Sequence, residues 1–117
     1  MGMDTRLAVE LYFKGLETGD VSQIPLAENV RFVAPTVPEG VQGEEKVREL
    51  LAGVAAGLKS MVAIRILVDG EHSCAPFELV FRDDNMPPLA GVDCFRVVEG
   101  RIVEIQPFYD PRPLIGD

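Results

Sequence analysis

One histidine, two cysteines and no long apolar run leave several kinds of protein without their essential parts. His72, Cys74 and Cys94 show neither a CxxC nor an HxxxH spacing, so a zinc site has almost no ligands to draw on, and neither metal nor cofactor is expected. A disulfide between the two cysteines is geometrically possible, but a reducing compartment disfavours it. No stretch reaches the roughly 18 to 20 consecutive apolar residues that a membrane span needs. The first ten residues carry Asp4 and no basic segment ahead of an apolar core. They do not read as a signal peptide, and the cytoplasm is the expected location. Basic residues are also scarce, 11 against 19 acids, for a net charge of −8. Phosphate backbones and anionic membranes would be repelled, so neither nucleic acid nor membrane is an expected partner. The acids are scattered and serve solubility.

What is present is an ordinary globular mixture, 47% hydrophobic and 26% charged, over 117 residues. That length suits one domain with a real core, spanning 1–117, and is too short for two. Ala8, Leu11, Tyr12, Gly15 and Leu16 recur at helical spacing, with Asp4 as candidate N-cap and Gly19 as C-cap. Asp20 opens a short segment with Gln23 as its capping-box partner, and Pro25 prevents a long helix there. Residues 29–34 read as a strand, and the Pro/Gly-rich stretch 35–40 as a loop. A second helix is expected from Glu44 to about Leu58, with Val47, Leu50, Leu51, Val54 and Leu58 on one stripe. Strands follow near 61–69, 73–82, 90–98 and 101–109, with turns at Asp69-Gly70 and Glu99-Gly100. Helices followed by a strand meander predict an α+β fold with helices on one side of an antiparallel sheet of about five strands.

Alternation assigns the faces. Phe77, Leu79, Phe81, Asp93, Phe95, Val97, Ile105, Pro107 and Tyr109 form the more apolar set and are expected to face the helices. The opposite set mixes charge with Val80, Cys94, Val98 and Phe108. A solvated face has no need of those four, so a second copy of the chain is expected to cover it, giving a homodimer.

Three runs, taken in order, carry a family resemblance: Leu16-Glu17-Thr18-Gly19-Asp20, then Phe32-Val33-Ala34-Pro35 through Gly43 to the helix at 45–51, then 93–105 followed by Phe108-Tyr109-Asp110-Pro111. Together they resemble the nuclear transport factor 2-like superfamily, in its SnoaL-like and ketosteroid isomerase-like branch, over nearly the whole chain. The resemblance implies a cone, also called cystatin-like, in which a bent sheet wraps the N-terminal helices and its open end admits a ligand. It also implies dimers packed sheet to sheet. Members include isomerases, cyclases, epoxide hydrolases and pure binding domains, so fold does not settle function.

Asp93 is the residue of most interest, a carboxylate placed among apolar groups. It must be paired, or hold its proton because desolvation raises its pKa. A neutral acid can donate a hydrogen bond to a developing oxyanion. By resemblance Asp93 falls where ketosteroid isomerases keep that acid, and Tyr12 where they keep a tyrosine. The structural alternative is a buried acid tied to a backbone amide or to Tyr12. The family's general base, an aspartate before a proline at the end of the first strand, is replaced by Ala34 before Pro35. Alanine moves no proton. Glu39, in the loop over the expected mouth, is the candidate substitute, against the plainer reading of a surface loop acid. The epoxide hydrolase reading also lacks parts, since Pro107 stands where that family carries an aspartate. His72 beside a turn reads as surface, and Cys94 has no histidine placed to activate it.

Three functions follow. The first is a binding domain for a small apolar molecule, its pocket lined by Phe32, Leu51, Phe77, Leu79, Phe81, Asp93, Phe95 and Tyr109 over a polar floor of Asp93 and Tyr12. The second is an isomerase or cyclase using Asp93 and Tyr12, with a base not visible in the sequence. The third is a dimerisation module whose cone is filled by its own side chains. A hollow with a polar floor separates the first two from the third.

Overall fold

The computed structural model describes residues 2–115. Helix α1 (Gly2–Thr18) is followed by a 3-10 turn (Val21–Gln23), then strands β1 (Leu26–Ala34) and β2 (Val37–Gln42) and helix α2 (Glu44–Ala56). Strands β3 (Leu58–Ala63), β4 (Leu67–Asp69), β5 (His72–Phe81), β6 (Leu89–Val98) and β7 (Arg101–Tyr109) complete the sheet, and a single turn of helix, α3 (Arg112–Ile115), follows.

The sheet runs β2-β1-β7-β6-β5-β3, with β4 paired to β5 beside β3. It has seven strands, two more than the alternation suggested, for two reasons. The stretch 35–40 is not a loop: the chain turns at Pro35-Thr36 and Val37–Gln42 pairs back onto β1 as an edge strand. Edge position is what lets Pro38 sit in a strand, because its missing N–H faces no partner. The expected strand 61–69 is also divided, into β3 and β4. One pairing departs from the meander: β1 and β7 run parallel, joining the first strand of the sheet to the last.

Helix α1 buries Thr5, Ala8, Val9, Tyr12, Phe13 and Leu16 against the concave face. It starts at Gly2, so Asp4 lies inside the first turn, where its charge still suits the helix N-terminus. Gly19, at φ +87°, closes the helix by donating its N–H to the Gly15 carbonyl at 2.9 Å. Asp20 caps the 3-10 turn through Ser22. Helix α2 ends two residues earlier than its apolar stripe suggested, since Gly57 stops it and hands Leu58 to β3. Its buried residues are Val47, Leu51 and Ala55, while Val54 remains partly exposed.

Register breaks bend the sheet. They fall in β1 between Phe32 and Ala34, in β3 between Leu58 and Ser60, and between β6 and β7, where Arg96 pairs with Glu104 but Val97 with Ile102. An extra residue in one strand increases local twist and bends it. The last break also changes the inward phase of β7: Ile102 and Ile105 are both fully buried, with Val103 as the inserted residue. Strict alternation of inward residues therefore holds from Ile105 through Pro107 in β7 and is broken before Ile105.

Candidate functional site

The concave face is not packed solid. Between α1, α2 and the sheet lies a cavity of about 280 Å³. Strand alternation aims Phe77, Leu79 and Phe81 of β5 and Asp93 of β6 into it, β1 supplies Phe32, β7 Pro107 and Tyr109, α1 Tyr12 and α2 Leu51. The wall is almost wholly apolar.

Gly91 shapes this wall. It is paired with Phe77 on one side and Tyr109 on the other, at a position that points inward. A Cβ there would stand 2.4 Å from the Phe108 carbonyl oxygen and 2.9 Å from Cζ of Phe77. Only a residue without a side chain lets the Phe77 ring lie across that rung.

Asp93 is 1% exposed and Tyr12 2%. Burial pushes the Asp93 carboxyl up to about 8, so at neutral pH it holds its proton. Oδ2 of Asp93 is buried without any hydrogen-bond partner. A buried polar atom left unpaired costs on the order of 1–3 kcal/mol. The phenol of Tyr12 is pushed upward too, first by burial and then by the nearby Asp93 charge, and so remains protonated. The floor thus carries two neutral groups able to donate to an acceptor. At the mouth the Tyr109 and Thr36 hydroxyls lie 3.1 Å apart in a hydrogen bond between the end of β7 and the β1–β2 turn.

Two residues expected at the site are not on the wall. The Phe95 ring, two residues along β6 from Asp93, is taken up by α1, with centroids 4.9 Å from Tyr12 and 6.1 Å from Phe13 in edge-to-face contacts. It supports the tyrosine from behind. Glu39 is carried off by the edge strand, where its carbonyl accepts a hydrogen bond from Arg31 and its side chain is exposed. Ala34 is buried at the end of β1. His72 is exposed at the start of β5 and does not line the cavity. The sequence reading missed Leu16, Thr36, Leu58, Met61, Leu89 and Leu114 of the wall. Alternation pointed to Leu89, two residues before Gly91 on the inward face; Leu114 comes from the short terminal helix, which had no periodic signal. Among the described residues, no cluster of His, Cys, Asp or Glu is placed to hold a metal ion, and no helix is long and apolar enough to cross a membrane.

Known structures share this architecture. A ketosteroid isomerase-like protein from Kribbella flavida is 24% identical, with TM-score 0.80, over 93% of this chain and 79% of its own. A nuclear transport factor 2-like protein of unknown function from Cytophaga hutchinsonii is 21% identical, with TM-score 0.81, over 95% and 94%. An LEH-like epoxide hydrolase from M. tuberculosis is 17% identical, with TM-score 0.78, over 97% and 88%. Likeness at these identities establishes the fold and leaves the chemistry open. No curated protein matches the sequence. The family model that matches, over residues 3–117, is Domain of unknown function (DUF4904), and the chain belongs to that family, built on the nuclear transport factor 2-like fold.

Proposed function

We propose that this chain is a binding domain for a compact, mostly apolar small molecule carrying one hydrogen-bond acceptor, such as a ketone carbonyl. The observation that carries the reading is the unpartnered Oδ2 of Asp93 on the wall of an apolar hollow. A protonated carboxyl in that position lacks only an acceptor, and a ligand carbonyl supplies one while its hydrocarbon covers Phe77, Leu79 and Leu51. Tyr12 is the second donor. The same geometry argues against proton shuttling, because among the described residues no second carboxylate and no imidazole lines the cavity to take a proton while Asp93 donates one.

The test is a thermal-shift and calorimetric series of apolar ketones across pH. Binding to the wild type should weaken as pH rises through about 8, when Asp93 loses its proton and its donor. Asp93→Asn, which keeps an N–H donor at every pH, should bind without that decline, and Asp93→Leu should lose most of the affinity. Ketone binding by wild type and Asp93→Leu that is equal and independent of pH removes Asp93 from the reading.

We also propose that a second copy of the chain covers the convex sheet face, supported by Val62, Val80, Val92 and Phe108, each 36–52% exposed there. Sedimentation equilibrium of wild type and Phe108→Glu tests it; a monomer in both ends it.

A further inference from the structure

The two cysteines sit directly opposite one another on β5 and β6, Cys74 paired with Cys94, on the convex face. Their Sγ atoms are 3.3 Å apart, with either thiol able to donate to the other. Cys74 is exposed and Cys94 half-buried. Residues directly opposed in an antiparallel pair have Cα atoms about 4.5 or 5.5 Å apart. Both values fall within the roughly 4.4–6.8 Å that a disulfide spans. The backbone need not move for the bond to form.

We propose that Cys74 and Cys94 are a reversible modification site, a vicinal dithiol that a peroxide converts to a cross-strand disulfide bracing the sheet behind the cavity. The Cys74 thiolate attacks one oxygen of hydrogen peroxide, breaking the O–O bond, and becomes a sulfenic acid as hydroxide leaves and is protonated to water. The Cys94 sulfur then attacks the Cys74 sulfur; the S–S bond forms, the S–OH bond breaks, and the thiol proton leaves with the hydroxyl as a second water. Two thiols are oxidised, one peroxide is reduced, and a small thiol reverses the change. The order of attack follows from the surroundings. Burial and the neighbouring Cys74 thiol push Cys94 up to about 11, which makes it the slower nucleophile, and Cys74 is the one exposed in the single chain, so the reaction belongs to the chain before a second copy covers that face. The next rung of the ladder is Ala75–Asp93, so the brace lies immediately behind the cavity acid. The dithiol itself does not depend on what the cavity binds.

The experiment treats the reduced, desalted protein with hydrogen peroxide and follows intact mass, thiol content after denaturation, non-reducing electrophoresis and amide hydrogen exchange. The wild type should lose both thiols together, drop in mass by two hydrogens, run as a single chain, and regain both thiols with dithiothreitol. Exchange at the β5–β6 amides should slow on oxidation. Cys74→Ser and Cys94→Ser should each gain oxygen on the remaining sulfur instead of losing hydrogen. A wild type that gains oxygen, keeps its thiols in excess peroxide, or appears as a covalent dimer overturns the intrachain disulfide, and unchanged exchange after disulfide formation overturns the brace.

Discussion

Asp93 and Cys94 are neighbours on one strand and inhabit different media. Asp93 points into the hollow and is 1% exposed; Cys94 points to the convex face and is half-buried. Burial raises both groups, to about 8 and about 11, but with opposite chemical results at neutral pH. An acid that keeps its proton gains a donor. A thiol that keeps its proton is a slower nucleophile and waits for its partner. The concave face holds one carboxyl and a few hydroxyls in an apolar wall, whereas the convex face spreads exposed apolar groups among charges such as the Arg96–Glu71 pair. A strand one residue wide separates a ligand-type environment from a surface-type one.

The sharpest way to break this contrast is to remove an aromatic ring from each face. Phe77→Ala should lower unfolding free energy by about 3–5 kcal/mol, the usual cost of deleting a buried aromatic. Phe108→Ala should cost well under 1 kcal/mol in a monomer. Paired urea titrations measure both. A large, concentration-dependent cost at Phe108 would show that a second copy buries that face.

Gly91→Ala probes the thin part of the concave wall. The added methyl meets the Phe108 carbonyl and the Phe77 ring, and the expected loss is about 1–3 kcal/mol, read from the same titration. If stability is unchanged, the rung is wider than described.

The pH dependence sharpens the comparison further. Folded Asp93 keeps its proton up to about 8, while the unfolded carboxyl releases it near the ordinary value of about 4. Between those values the folded state binds more protons, so stability falls as pH rises and levels off above about 8. The limiting slope is about 1.4 kcal/mol per pH unit, and it should be absent from Asp93→Asn. Parallel slopes for the two proteins in urea titrations from pH 5 to 8.5 would place a solvated carboxyl at 93. The smallest effect belongs to the convex ion pair: Arg96→Ala should change stability by less than about 1 kcal/mol, since both partners are half exposed and screened.

The inward direction of Asp93 was legible because strand alternation has a period of two, and Phe77, Leu79 and Phe81 set its phase on the neighbouring strand. The α+β arrangement was legible from the order of helices and strands, whereas the cone came from the family resemblance. Phe95 was misplaced because alternation assigns a face but not a neighbour: α1 crosses that part of the face and takes the ring. Glu39 was misplaced because Pro38 and Gly40 read as loop, and only pairing with β1 makes that stretch an edge strand. No local pattern marks the residue inserted at Val103, which brings both Ile102 and Ile105 inward.

By itself, then, the chain order of apolar and polar residues determined which side of each strand avoids water, because that is a local property of the pleat. Register, the bulges, the room left beside Gly91 and the missing partner of Asp93 were decided by the tertiary structure, because each depends on atoms far apart in sequence. The same holds for the meeting of Cys74 with Cys94, twenty residues apart in the chain and opposed only once β5 and β6 pair.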